Sequence, residues 1–414
     1  MWELMQANKR KSLLLFMGMG IFLLALGYVV GEVFSPGGGF FGLAIAAVVW
    51  LVQSLVSYAW GSKILLMSSK AQPVTHEVHP QLFNIVEEMK IAANLPAMPK
   101  IYIIPDPAPN AFATGIKPEN SAIAVTAGLL GRLNRDELQG VIAHEMSHII
   151  NRDVMFMTFA GVLLGSIVLI SQVFLRGMFY SGGGRRYRSG SNRGQGQAQA
   201  VIMIVAVILA ILAPILAQLL YFAISRKREY LADASAVRLT RYPEGLASAL
   251  ESISNSDYKP AVVNKVTAPM YIANPLEKGR KISSLTSTHP PIKERVKILR
   301  NMAQGANFTA YEKSFEQVAG EEIIPKSQLQ NDKTVSIRQA NDRKKTGNKK
   351  KDLRQVGDLI RTVNKYAFLA CACGLKMKIP PNFKKSTLIC PRCHREHKVP
   401  LSELAAMTAA ATKN

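Results

Sequence analysis

The sequence predicts a multi-pass α-helical membrane protein with a mainly α soluble domain that carries a small β-sheet, and a small C-terminal cysteine module. Three observations predict it. Four apolar segments, at 12–34, 39–60, 154–175 and 200–224, are each long enough, at about 1.5 Å per residue, to cross a hydrocarbon core of about 30 Å. Two histidines stand four apart, with a glutamate beside the first, inside the apolar stretch VIAHEMSHII at 141–150. All four cysteines fall after residue 370, in two close pairs.

The composition agrees. The 414 residues are 48% hydrophobic yet carry a formal net charge of +23, a pairing expected when apolar mass lies in the bilayer and basic residues lie outside it. A strongly basic balance also suits anionic lipid headgroups or nucleic acid. With no cysteine elsewhere, a disulfide-stapled secreted protein is excluded, and the clustered cysteines read as a metal site in a reducing compartment.

Residues 1–62 are expected to form a transmembrane hairpin with spans at about 12–34 and 39–60, joined by the tight turn SPGG. Lys9, Arg10 and Lys11 precede the pair and Lys63 and Lys70 follow it, which puts both flanks in the cytoplasm by the positive-inside rule. Residues 63–325 form the main domain, interrupted by the apolar segments 154–175 and 200–224. If both of these span, Arg176, Arg185, Arg186, Arg188 and Arg193 lie on the far side, against the same rule. Spanning is expected nonetheless, with a hairpin that does not fully cross as the alternative, and Pro214 kinks the last segment.

Within the domain, HPQLFNIVEEMKIAANL has helical spacing, and KIYIIP and SAIAVT read as short strands. Asn134 is an N-cap with Glu137 at the third helical position, so DELQGVIAHEMSHII starts as a helix there. Helical patterns recur around 228–256 and 291–304. Residues 326–364 read as a basic linker and 365–405 as a compact module.

Positions four apart share one helical face, so His144 and His148 can offer two imidazole nitrogens to one metal ion. Glu145, one residue round, can reach a water on that metal without taking a coordination position and serve as general base. A catalytic zinc wants a third protein ligand. Glu229, opening the ExxAD run of SRKREYLADASAV, is that candidate. Asp233, one turn on, is placed to accept a hydrogen bond from a ligating imidazole and fix its tautomer.

These motifs resemble those of the HtpX-type zinc metalloproteases, membrane-bound gluzincins related to the CAAX prenyl endopeptidases. The resemblance covers roughly residues 1–305 and rests on PNAFATG (109–115), LNRDELQGVIAHEMSHIINRD (133–153), SRKREYLADASAV (225–237), MYIANP (270–275) and THPPIKERVKIL (288–299). It implies a zincin-type fold for the domain. It also implies an endopeptidase in the cell inner (cytoplasmic) membrane, with the active site facing the cytoplasm, that degrades misfolded or surplus membrane proteins in quality control. By the same resemblance His144, His148 and Glu229 match the zinc ligands and Glu145 the general base. Asn110 falls in the NAF motif beside a substrate cleft, where a strand accepts an extended peptide by β-augmentation; it reads equally as a turn asparagine after PDPAP. His289, in the HPP motif, is a candidate oxyanion stabiliser or a helix-entry residue before Pro290 and Pro291.

In the tail, Cys371, Cys373, Cys390 and Cys393 can close a tetrahedral structural zinc in a ribbon-like module, which makes two Zn2+ per chain, one catalytic and one structural. His394 and His397 read as surface residues. Behind a basic segment the module suits an acidic partner, anionic lipid or nucleic acid. A membrane-tethered nucleic-acid-binding or adaptor protein, acting through this tail, is the alternative function.

Overall fold

The computed structural model describes residues 2–155, 226–256, 289–302, 305–330, 332–340 and 349–399, with 167–168, 170–172, 175–176, 203–204, 207–208, 210–212, 215, 258, 271 and 272 besides. The expected spans at 154–175 and 200–224 fall for most of their length outside the described residues, as do residues 400–405 of the expected C-terminal module.

The N-terminal hairpin is two helices, α1 (Trp2–Phe34) and α2 (Gly39–Ser68), both long and apolar enough to cross a membrane. They run longer than the apolar stretches alone because helical residues continue past the charged flanks. Glu32, the one acid of the first segment, has a local use. Its carboxylate accepts the Gly37 and Gly39 backbone N–H groups, each at 2.8 Å, and so caps the start of α2. Small residues let the helices close up. A Cβ added at Gly42 would stand 2.2 Å from the Gly27 carbonyl oxygen, and one at Gly27 would stand 2.4 Å from the Ala46 Cβ. Such backbone contact is how helices associate in lipid, where apolar side chains alone give no drive. Phe40, Leu51, Leu55 and Trp60 of α2 are all exposed. From Phe40 to Trp60 the helix rises about 30 Å, the thickness of a hydrocarbon core.

The four-stranded sheet runs β1-β2-β4-β3, with β1 Gln72–Pro73, β2 Lys100–Ile104, β3 Ala111–Thr114 and β4 Ala122–Thr126. The β2–β4 pair is parallel and β3–β4 antiparallel, with Ala111 opposite Val125 and Thr114 opposite Ala122. Alternation divides its faces. Ile104, Phe112, Ala122 and Ala124 share a cluster with Met19 and Leu23 of α1 and Leu65 and Leu66 of α2. Ile101, Ile103, Ala111, Ala113, Ile123 and Val125 belong to the main core. One side of the sheet therefore meets the membrane hairpin and the other the helical domain, while β3 lies at its edge.

The domain's helices are α3 (Pro80–Ala92), α4 (Ala127–Arg132), α5 (Arg135–Ile150), α6 (226–240), α7 (Pro243–Ser254), α8 (Ile292–Arg300) and α9 (Phe308–Ala319). The single helical pattern expected over 228–256 is two helices. Arg241 takes φ +54° and Pro243 opens α7 at its first turn, because proline has no N–H to continue α6. α5 packs on α3 and α7. At the α5–α7 crossing a Cβ on Gly140 would stand 2.7 Å from the Leu246 nitrogen.

Residues 326–364, expected as a linker, hold structure of their own. α10 (Lys326–Leu329) leads to an extended stretch over 332–340, and α11 (Lys349–Val363) follows. The charge run hides an apolar stripe at helical spacing: Val356, Leu359, Ile360 and Val363 pack against the main core, and α11 lies on α4. Two hairpins close the described chain, β5 (Ala367–Ala370) with β6 (Lys376–Ile379), and β7 (Thr387–Ile389) with β8 (Glu396–Lys398). Asp358 of α11 meets Lys378 of β6 at 2.8 Å.

Candidate metal centre

α5 is started by a full capping box. The Asn134 side chain accepts the Glu137 N–H, and the Glu137 carboxylate accepts the Asn134 N–H, both at 2.9 Å. The helix is buried from Asp136 to Ile149, so its polar side chains need partners inside the protein. His144 and His148 find each other, with Nε2 atoms 3.3 Å apart and rings at 89°. Glu229, on α6, reaches both, with Oε2 3.4 Å from His144 Nε2 and Oε1 3.4 Å from His148 Nε2.

Those separations are a test of the metal reading. Ligand atoms about 2.0–2.1 Å from a tetrahedral zinc stand about 3.3–3.4 Å apart; the two imidazole nitrogens meet that spacing, and Glu229 sets one carboxylate oxygen at 3.4 Å from each of them. The backs of both rings are held as well. His144 Nδ1 lies 2.9 Å from Asp233 Oδ1, and His148 Nδ1 lies 3.3 Å from Asp153 Oδ2. With each Nδ1 tied to a carboxylate, each Nε2 lone pair is turned to the common point, the arrangement that raises ligand basicity. Among the described residues Glu229 Oε2, although buried, accepts no hydrogen bond of good geometry; its neighbours are ion-pair contacts at 3.4 Å.

The electrostatics ask for a cation. Burial lowers the affinity of His148 for a proton, but hydrogen bonds to Asp153 and Glu229 outweigh it and lift the imidazole to about 10. Burial would raise the Glu229 carboxyl, yet the surrounding histidines hold it well below its ordinary value. A pocket that keeps carboxylates ionised and draws protons onto imidazoles will trade those protons for a metal ion. So the donor set fits zinc in chemistry and in size.

Glu145 is 1% exposed. Burial pushes its carboxyl up, against the pull of His144 and His148, and it accepts a backbone hydrogen bond from Ala113 of β3. The candidate base is thereby tied to β3, the edge strand of the sheet, whose Ala111 carbonyl accepts the Ile272 N–H at 3.0 Å. Asn110 starts that strand. Its N–H donates to Thr126 Oγ1 at 2.8 Å and its side-chain oxygen accepts the Ala111 N–H at 3.1 Å, contacts that serve the turn. His289 is brought to the centre, with Nε2 3.6 Å from Glu229 Oε1; burial pushes it down to about 4, which leaves it neutral.

Sequence reasoning missed Arg295 and Asp153. Arg295 is fully buried. It donates to Asp233 through Nε at 2.8 Å and Nη2 at 2.7 Å, and its Nη1 lies 3.4 Å from Glu229 Oε2. The signal was present: Ile292, Arg295, Val296 and Leu299 form one helical stripe, and an arginine within an apolar stripe points inward. Asp153 follows the second histidine by five residues, too close in sequence to look like a long-range partner.

The cysteines gather separately. Cys371 and Cys393 sulphurs stand 3.3 Å apart and Cys373 and Cys390 3.7 Å, with all four donor atoms within 4.8 Å of one another. Zinc thiolates at about 2.3 Å require about 3.8 Å between sulphurs. Each pair sits on a matching turn. Gly374 N–H donates to Cys371 O and His394 N–H to Cys390 O, with φ +82° and +56° at the turning residues.

The model of peptidase family M48 matches residues 77–303. Over 303 residues the chain is 46% identical to the protease HtpX homolog of Dictyoglomus turgidum, a match covering 73% of this chain and 95% of that protein. Over 305 residues it is 44% identical to the protease HtpX homolog of Listeria monocytogenes, covering 73% of this chain and 100% of that one. The crystal structure of S. mikatae Ste24p aligns with a TM-score of 0.40 at 22% identity, covering 72% of this chain and 67% of that chain.

Proposed function

The chain belongs to peptidase family M48 and is a membrane metalloendopeptidase, and on that premise we propose that it hydrolyses misfolded or surplus membrane proteins from the cytoplasmic side, in quality control. The observation that carries the reading is the buried triad of His144, His148 and Glu229, with a Glu229 oxygen 3.4 Å from each imidazole nitrogen and the nitrogens 3.3 Å apart. A zinc held by these three residues would supply a Lewis acid for a carbonyl oxygen and lower the pKa of a water toward neutrality. Glu145 takes the proton at its carboxylate and gives it back to the leaving amine. Burial, which raises that carboxyl, suits it to both halves of the task. β3, the edge strand of the sheet, is bonded to Glu145 through Ala113 and is read as the strand along which an extended peptide pairs, with Asn110 immediately before it. Neutral His289 is a donor for the developing oxyanion.

The sheet that bears β3 shares an apolar cluster with α1 and α2, which supports substrates drawn from polypeptide close to the bilayer. Residues 154–175 and 200–224 are read as two further spans. The four cysteines are read as a ribbon that holds a second, structural zinc.

The test is proteolysis in vesicles. Single-span substrates carry an unfolded stretch of increasing distance from the bilayer, and products are mapped by mass spectrometry. The expected cuts cluster near the membrane and vanish with Glu145→Gln. Equal cutting of a soluble unfolded chain and a membrane-anchored one contradicts the membrane part of the reading.

A further inference from the structure

We infer that Arg338 is a positioning residue that braces the two helices bearing the metal ligands, so that the C-terminal extension helps to build the protease site. Arg338 lies outside the stretch matched to the family, in a segment whose composition suggests only a basic linker. It is nonetheless the most heavily engaged side chain of the extended stretch. Its Nη2 donates to Asp136 Oδ1 at 2.8 Å and to Gln139 Oε1 at 2.6 Å, both in the first turns of α5. Its Nε donates to the Thr240 carbonyl at 2.9 Å, and its own backbone N–H donates to the Arg241 carbonyl at 2.9 Å, both at the end of α6. The guanidinium carbon sits 4.8 Å over the Tyr242 ring.

One planar fork thus joins α5 to α6. α5 carries His144, Glu145 and His148; α6 carries Glu229 and Asp233. Gln139 precedes His144 by only about 7–8 Å of helix. The carbonyls at the end of α6 have no partner within their own helix, and a cation there also meets the negative end of the helix dipole. Asp136 meets the same cation from the other helix at a side-chain exposure of 4%, against 17% for Arg338. Lysine is a point charge without the fork and cannot reproduce this set of contacts. Holding the two helices at the end remote from the metal fixes how far Glu229 stands from the two histidines, and ligand sets lose affinity when their supports loosen.

The inference rests on the metal-centre reading, and the experiment separates the two. Zinc release to a chromogenic chelator is followed for full-length protein in detergent, as wild type, Arg338→Ala and Arg338→Lys, beside kcat and KM on an unfolded substrate. Cys390→Ser assigns the phase that belongs to the cysteine module. The expected result for Arg338→Ala is release from the histidine site faster by about tenfold, the low end for lost outer support. The cysteine phase should stay unchanged, kcat should fall, KM should hold, and Arg338→Lys should lie between. A lower melting temperature with unchanged zinc release and kcat overturns the proposal. Should Arg338→Ala fail to fold, an Arg338→Lys protein indistinguishable from wild type in zinc release and kcat overturns it as well. If the wild type releases cysteine-bound zinc alone, the metal-centre reading fails and the brace falls with it.

Discussion

Arg295 grips Asp233 through two hydrogen bonds, at 2.8 and 2.7 Å, with both side chains fully buried. The same Asp233 stands 2.9 Å behind His144. A cation on α8, a carboxylate on α6 and an imidazole on α5 are therefore one chain of contacts leading to the metal point.

Removing the cation strands two carboxylates in the interior. Arg295→Met should cost about 3–5 kcal/mol, the range for breaking a buried pair on one side. Arg295→Lys keeps the charge, loses the fork and should cost less. Denaturant titration of the three proteins checks the order. Equal stability of wild type and Arg295→Met would mean that the pair carries no net load.

Asp233→Asn keeps the shape but weakens the acceptor behind His144. Metal affinity should fall about 10- to 100-fold, as for other partners one step behind a ligand, with little change in fold. Competition against a zinc chelator reads this directly, and an unchanged affinity would remove Asp233 from the account.

Much of this was legible along the chain, and the reason is local chemistry. The start of α5 is written in Asn134 and Glu137, three apart. The pairing of His144 with His148 follows from the helical period. The strands at Lys100–Ile104 and Ala122–Thr126 follow from β-branched runs. What sequence reading did not reach depends on approach between distant segments. Arg295 is 62 residues from Asp233, and Arg338 is 202 from Asp136, and no spacing rule connects either pair. Within 326–364 the charge run masks Val356, Leu359, Ile360 and Val363, whose helical spacing docks α11 on the core.

Gly42 should tolerate no larger side chain. A Cβ there meets the Gly27 carbonyl at 2.2 Å, so Gly42→Val must push α1 and α2 apart. Cysteine pairs placed across the interface should cross-link in the parent protein and lose that cross-link in the variant. Retained cross-linking would show that the crossing does not depend on close backbones.

The cysteine module should be separable from the chemistry. Cys390→Ser removes one of four thiolates and should reduce bound zinc from two ions per chain to one, while cleavage of a soluble unfolded substrate persists. Elemental analysis beside activity decides it. Loss of both ions from this one change would tie the two centres together.

The most direct test of the central claim is cleavage of an unfolded casein-like substrate by detergent-purified protein, wild type beside Glu145→Gln, with zinc measured in both. Both proteins should hold the same zinc, and only the wild type should cut. Equal cutting by both would contradict the claim, because the proton would then be moved by some group other than Glu145.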